Sequence, residues 1–301
     1  MGIVKTDTKQ KTILNKVSLK GVGLHTGKDV TLTFCPASEN TGFAFKRIDL
    51  EGSPTIEADA NYVTNTQRGT CLEKNGVVIQ TSEHVLAALV GMDIDNAIIE
   101  LDASEPPIMD GSSKFFVEAL EKAGVVEQDD FREEYVVTDV VSYADEDSGS
   151  EVIVMPAKEY QITTMVDFGT KVLGTQNATL NHLLDFKEDI SNARTFSFLH
   201  EIEMLLENGL IKGGDLNNAI VYVDKELSPN TMEKLKVAFK KDAIACELIE
   251  VSHFNEVSPN LYVDQSIDSL KLVELSNAVQ AAAKRVSDIY GIPTSNPRII
   301  A

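Results

Sequence analysis

At 301 residues the chain is long enough for two ordinary domains, each burying its own core. Its 43% hydrophobic and 25% charged residues are the composition of a folded globular protein. A formal charge of −20 argues against nucleic acid or an anionic bilayer surface as a partner, so a phosphorylated ligand would have to be met by local cations or helix N-termini.

Period-two patterning predicts strands over residues 12–19, 29–34, 42–47, 69–72 and 77–80. A helix over 82–90, a strand over 96–101, a proline-containing loop and an amphipathic helix from about 113 to 123 follow. The charged stretch 127–134 has almost no apolar side chain to bury and marks a boundary between domains 1–126 and 135–301. Strands are then expected at 135–143, 151–155 and 161–166, with a helix near 180–186. An inserted helix-strand unit at about 196–223 turns at Gly213-Gly214, and a long helix spans about 267–290. Runs of strands with few helices indicate an α+β architecture of layered sheets and helices. No apolar run reaches the roughly 18 to 20 residues of a membrane helix, and the first residues lack the apolar core of a signal peptide. A cytoplasmic protein without a membrane span is expected. Cys35, Cys71 and Cys246 are widely spaced and form no CxxC pattern, so they read as small buried hydrophobes rather than a disulfide frame or thiolate metal site.

Glu83 and His84 are adjacent at the start of an otherwise apolar helix, TSEHVLAAL. About 100° separates neighbouring helix positions, so at least one of the two should face a pocket or solvent. An imidazole that ligates zinc beside a non-ligating carboxylate that takes a proton from water fits this pair. So does a surface helix capped by Ser82, with Glu83 favoured by the helix dipole. In GVGLHTGK, three glycines permit close approach to a ligand, His25 and Thr26 offer hydrogen bonds, and Lys28 offers a cation. A glycine-rich hairpin connection accounts for it equally well. EPPIMDGSS reads as structural, a rigid double proline followed by an Asp110-Gly111 turn. Thr195 could donate to an oxyanion or bond to backbone at a strand end. The apolar surface from Phe196 to Ile211 suits an acyl passage or a packed interface.

GVGLHTGK, TSEHVLAAL with GMDIDNAIIEL, EPPIMDGSS, ISNARTFSF and NGLIKGGDLNNAIVYVD, in this order and spacing, resemble the UDP-3-O-acyl-N-acetylglucosamine deacetylases (LpxC) over about residues 12–238. These zinc enzymes commit Gram-negative bacteria to lipid A synthesis. The resemblance implies two similar α+β domains with the active site between them, and zinc as cofactor. It implies a UDP-sugar substrate bearing an acyl chain, with peripheral association the remaining form of membrane contact. By motif it makes His84 a zinc ligand, Glu83 the general base, Thr195 the oxyanion donor and His25 a catalytic-site residue near the acetyl group. Lys28, Phe196, Phe198, Ile202 and Gly214 would contact the substrate. The family's second ligand motif, His-Lys-x-x-Asp, and a later Gly-His pair do not occur. Asp264 and Asp268 keep the four-residue spacing and, with His253, stand as the substitute metal ligands beside His84, although capping a helix is the more ordinary use of the two aspartates. The missing motif also leaves room for a noncatalytic member that binds a nucleotide sugar or a partner protein.

Overall fold

Strands β1 (Gly2–Ile13), β2 (Val17–Val22), β3 (Asp29–Pro36), β4 (Phe43–Arg47) and β5 (Thr55–Glu57) precede a small antiparallel group. That group is β6 (Val63–Asn65), β7 (Cys71–Lys74) and β8 (Val77–Ile79). Helix α1 (Glu83–Gly91), strand β9 (Ala97–Leu101), helix α2 (Lys114–Ala123) and strand β10 (Val125–Val136) follow. The coordinates are a computed structural model that describes residues 2–170, 173–207, 212–222 and 229–239.

β9 is the centre of a five-stranded sheet of order β2-β3-β9-β4-β5, antiparallel to β3 and parallel to β4. The pleat turns Val30, Leu32 and Phe34 of β3 and Ala97, Ile99 and Leu101 of β9 inward. Leu86 and Leu89 of α1 and Phe116 and Leu120 of α2 join the same core, with the Phe34 and Phe116 rings meeting edge to face at 6.3 Å. α2 is amphipathic and ends at Gly124 (φ 76°), whose amide donates to the Leu120 and Glu121 carbonyls. α1 is different: every residue except Ala87 is buried, as a helix without a polar face requires.

Two expectations change in the first part. The strand expected over 12–19 breaks into β1 and β2 because the Leu14 and Asn15 amides leave the sheet and donate to Gly124 O and Ala123 O. The charged stretch 127–134 belongs to β10, which pairs with β1 from Gly2↔Val136 to Ile13↔Val125. Its polar groups have individual partners. Arg132 is buried, with Nη2 at 2.9 Å from Asp93 Oδ1 and 2.8 Å from Asp95 Oδ2, and the Gln128 amide donates to Ala37 O. A stretch almost without apolar residues can therefore run as a strand when each buried charge is paired.

Beyond residue 136, β11 (Val141–Asp145) and β12 (Ser150–Val154) form one antiparallel hairpin, and β13 (Ile162–Asp167) and β14 (Thr175–Leu180) another. Helix α3 (Phe186–Asp189), strand β15 (Phe196–Phe198), helix α4 (Leu199–Glu207), strand β16 (Ile220–Tyr222) and helix α5 (Pro229–Phe239) follow, with β15 and β16 parallel. The helix expected near 180–186 is instead the end of β14, a single 3-10 turn at Leu183–Asp185 and the start of α3. TQNATL alternates in exposure and pairs along β13. The inserted unit appears as α4 and β16, while the expected helix at 267–290 lies outside the described residues. The architecture is α+β, as the patterning indicated, and no described helix is long and apolar enough to cross a membrane.

Leu180, Phe186 and Ile190 pack into the same core as α1 and α2. Gly91 makes that docking possible, since a methyl group there would overlap the Phe186 ring. Helix propensity alone favours alanine at this site by about 1 kcal/mol. Overpacking should outweigh it, and Gly91→Ala is expected to cost about 1–3 kcal/mol in urea unfolding. An unchanged or raised midpoint would contradict the packing.

Candidate active site

Thr81 enters α1 with φ 52°, a left-handed backbone that a β-branched residue adopts only when its surroundings hold it there. Its hydroxyl donates to Glu105 Oε1 at 2.9 Å. Ser82 does not cap the helix: its hydroxyl donates to Thr70 O at 3.0 Å. Glu83 and His84 are both buried, at 4% and 8% exposure, so the surface-helix reading does not hold and neither residue faces bulk solvent. The chain covers α1 on all sides, which shelters even side chains 100° apart.

Glu83 Oε2 accepts from the Thr70 amide at 2.8 Å, and its other oxygen accepts no hydrogen bond among the described residues. The His84 carbonyl accepts from Ser113 Oγ at 3.0 Å, whereas its ring nitrogens have no hydrogen-bond partner among the described residues. Burial pushes the imidazole below its ordinary pKa against the opposing pull of Glu83 and Asp110, which keeps it neutral with a lone pair to offer. The Cys71 thiol has its pKa raised by burial first and then by the nearby Glu83 and Glu105 carboxylates. Cys35 is the buried hydrophobe expected, Cys71 is half-buried at the site, and Cys246 lies outside the described residues.

GVGLHTGK folds as the tight connection of β2 to β3, closed by Gly23 N to Lys28 O and Gly27 N to Gly23 O, both 2.9 Å. Its inner side rests on Glu105, which is fully buried and accepts from the amides of His25 and Thr26 and from the Thr26 hydroxyl. The His25 ring meets Arg68 O through Nε2 at 3.3 Å. Lys28 is exposed. From the far part of the chain, the Gly213 amide donates to Leu24 O at 3.0 Å, with Gly214 next to it, half-buried.

The loop that begins at Glu105 then turns at Asp110-Gly111, where Asp110 Oδ1 accepts from the Ser112 amide and hydroxyl. Gly111 (φ 86°) leaves no room for a side chain against Asn218 O. The Thr195 amide donates to Gly111 O at 2.7 Å, the Thr195 carbonyl accepts from Ile220 N at 3.0 Å, and Arg194 Nε donates to Asp110 O at 2.6 Å. These bonds fix the Thr195 backbone and leave its hydroxyl without a hydrogen bond among the described residues. Phe196 packs edge to face with Phe198 at 5.5 Å and with Tyr222 at 5.0 Å, while Phe198 and Ile202 are buried. Arg68 reaches Glu201 Oε1 of α4 at 2.9 Å, and Glu201 Oε2 also accepts from Ser197 Oγ and Phe198 N.

One loop therefore joins His25, Thr81 and the start of α1 to Thr195. No group of three or more His, Cys, Asp or Glu residues that could hold a metal occurs among the described residues, and His253, Asp264 and Asp268 lie outside them. Three residues of the site escaped the sequence reading. Glu105 passed as part of a structural loop, although a glutamate before two prolines is hard to bury without a purpose. Asp110 was assigned to the turn alone. For Arg68, in a polar loop, no sequence signal stands out.

Residues 10–239 match the family profile described as UDP-3-O-acyl N-acetylglycosamine deacetylase, LpxC. The chain belongs to this family. It is 45% identical over 227 residues to a bifunctional enzyme LpxC/FabZ of Bacteroides thetaiotaomicron, covering 75% of this chain and 49% of that one. It is 41% identical over 216 residues to a UDP-3-O-acyl-N-acetylglucosamine deacetylase of Geobacter sp. (strain M21), covering 71% and 70%. A Myxococcus xanthus protein of the same name is 44% identical over 213 residues, covering 70% and 67%. The chain thus spans about half the length of the bifunctional relatives. The LpxC match includes every site residue described above and ends where α5 ends.

Gly111→Ala should strain a left-handed backbone and push against Asn218, at a cost of about 1–3 kcal/mol. Hydrogen exchange of the Thr195 amide is expected to quicken by about tenfold or more. Unaltered protection of that amide would contradict the contact.

Proposed function

We propose that the protein is a zinc-dependent deacetylase that hydrolyses the N-acetyl amide of UDP-3-O-acyl-N-acetylglucosamine, the committed step of lipid A synthesis, in the cytoplasm. The observation that carries this reading is the Glu83–His84 pair. A buried carboxylate keeps one oxygen on the Thr70 amide and the other unbonded among the described residues, next to a buried imidazole whose nitrogens are equally uncommitted. Family membership supports the substrate class.

The donor set suits zinc in part. His84 supplies a neutral imidazole, and the carboxylates of Asp264 and Asp268 are the proposed further ligands from the C-terminal part. Zinc, when bound, would lower the pKa of water toward about 7 and polarise the amide carbonyl. The protein's own groups do the rest. Glu83, through its uncommitted oxygen, takes a proton from the attacking water as the water oxygen bonds to the carbonyl carbon. The Thr195 hydroxyl donates to the developing oxyanion, and its fixed backbone avoids reorganisation during the reaction. The carbon–nitrogen bond then breaks, releasing acetate and the sugar amine. Glu83, protonated in the first step, can return its proton to the leaving nitrogen. His25 lines the acetyl side. Lys28 and Gly214 contact the nucleotide sugar, and Phe196, Phe198 and Ile202 wall the acyl passage.

A noncatalytic member of the family that holds the nucleotide sugar is the competing reading. It rests on the absence of His-Lys-x-x-Asp from the sequence. Metal analysis and turnover separate the two. The enzyme should carry about one zinc per chain and release acetate. Glu83→Ala should lose about 100-fold or more of turnover while retaining zinc, whereas His84→Ala should lose zinc as well. Wild-type protein that neither holds zinc nor turns over would favour the noncatalytic reading. Full activity in Glu83→Ala would remove the general base assigned above.

A further inference from the structure

Glu105 is a carboxylate at 0% exposure with no cationic partner among the described residues, held entirely by neutral donors. Its bonds reach two separate segments. Oε2 accepts from Thr26 N at 3.0 Å, from Thr26 Oγ1 at 2.9 Å and from His25 N at 3.1 Å, while Oε1 accepts from Thr81 Oγ1 at 2.9 Å and shares the His25 amide at 3.1 Å. Packing around it is close. A methyl group on Gly23 would sit 2.6 Å from Oε2, and the next residue after Glu105 begins a buried Pro106-Pro107 pair. A buried anion without a counter-ion is retained only when several donors converge on it, and these donors belong to the backbone that carries His25 and to the strained residue two places before Glu83.

We infer that Glu105 is a positioning residue: it sets His25 against the Glu83–His84 end of α1 by bridging the GVGLHTGK loop to Thr81. It touches neither substrate nor metal. This inference rests on the deacetylase reading for its kinetic consequence, though not for its structural one. A carboxylate suits the place because both its oxygens accept, so the His25 amide shared between them and the Thr81 hydroxyl are met at once. A carboxamide at this position can keep an oxygen toward Thr26, and then turns N–H groups toward the Thr81 hydroxyl and the His25 amide. The amide has no lone pair to receive them.

The test compares Glu105→Gln, Thr81→Val and His25→Ala in the full chain. With UDP-3-O-acyl-N-acetylglucosamine as substrate, Glu105→Gln should lower kcat by about 10- to 100-fold, as a displacement of about 1 Å does, with KM and zinc content near those of the parent. Thr81→Val removes one bond only and should act in the same direction more weakly, which keeps the test open if the first variant folds poorly. In the His25→Ala background Glu105→Gln should lower kcat by less than about twofold, because the residue it positions is gone. A purely structural role predicts instead that the two losses multiply. Nuclear Overhauser contacts of the His25 imidazole with Arg68 read the same placement without catalysis, and should weaken or vanish in Glu105→Gln. Parental kcat, multiplicative losses, or retention of those contacts would each overturn the inference. A parent chain without turnover would instead count against the deacetylase reading, and the imidazole contacts would then decide the role of Glu105 alone.

Discussion

The segment from Glu105 to Gly111 faces two ways, and the site exists because it does. On one side the Glu105 carboxylate gathers the His25 loop and Thr81. On the other, the carbonyls of Asp110 and Gly111 take the Arg194 side chain and the Thr195 amide. Two prolines directly after Glu105 fix the backbone at that end of the segment. Side chains that lie more than one hundred residues apart in the sequence are thereby referred to a single rigid element. That is what a constellation requiring fixed mutual geometry needs.

Burial and charge are reconciled locally throughout. The chain carries a large negative excess, yet its sequestered carboxylates are met one by one: Asp93 and Asp95 by Arg132, Glu105 by amides and hydroxyls, Glu83 by a single amide. Glu83 is the least satisfied of these. A buried carboxylate with spare acceptor capacity is costly to maintain, and such groups concentrate where a proton has to be moved. The unengaged imidazole of His84 beside it has the same character.

Much of the first part was legible in the sequence because alternation and helical spacing report burial directly, as in β3, β9 and α2. What failed there failed for stated reasons. Strand 12–19 broke because its amides bond to the end of a helix, and the charged stretch became β10 because each buried charge has a partner from elsewhere in the chain. Neither partner is visible locally. Of the site, Glu83, His84, His25 and Thr195 drew attention through residue type and motif. Glu105, Asp110 and Arg68 did not, since their significance comes from which distant donors and acceptors they meet. Residue type alone could not tell whether the Glu83–His84 helix is a surface or a buried one. That was decided by the elements that cover α1.

The central claim is that the buried Glu83–His84 pair serves a metal-dependent hydrolysis, with the imidazole as ligand and the carboxylate as base. Anomalous diffraction at the zinc absorption edge from crystals of zinc-loaded protein tests this most directly. The account expects a peak about 2.0–2.1 Å from a His84 ring nitrogen, with the Glu83 carboxylate beyond ligand distance. A zinc-loaded crystal with no peak at His84, or one in which Glu83 itself ligates the ion, would contradict it.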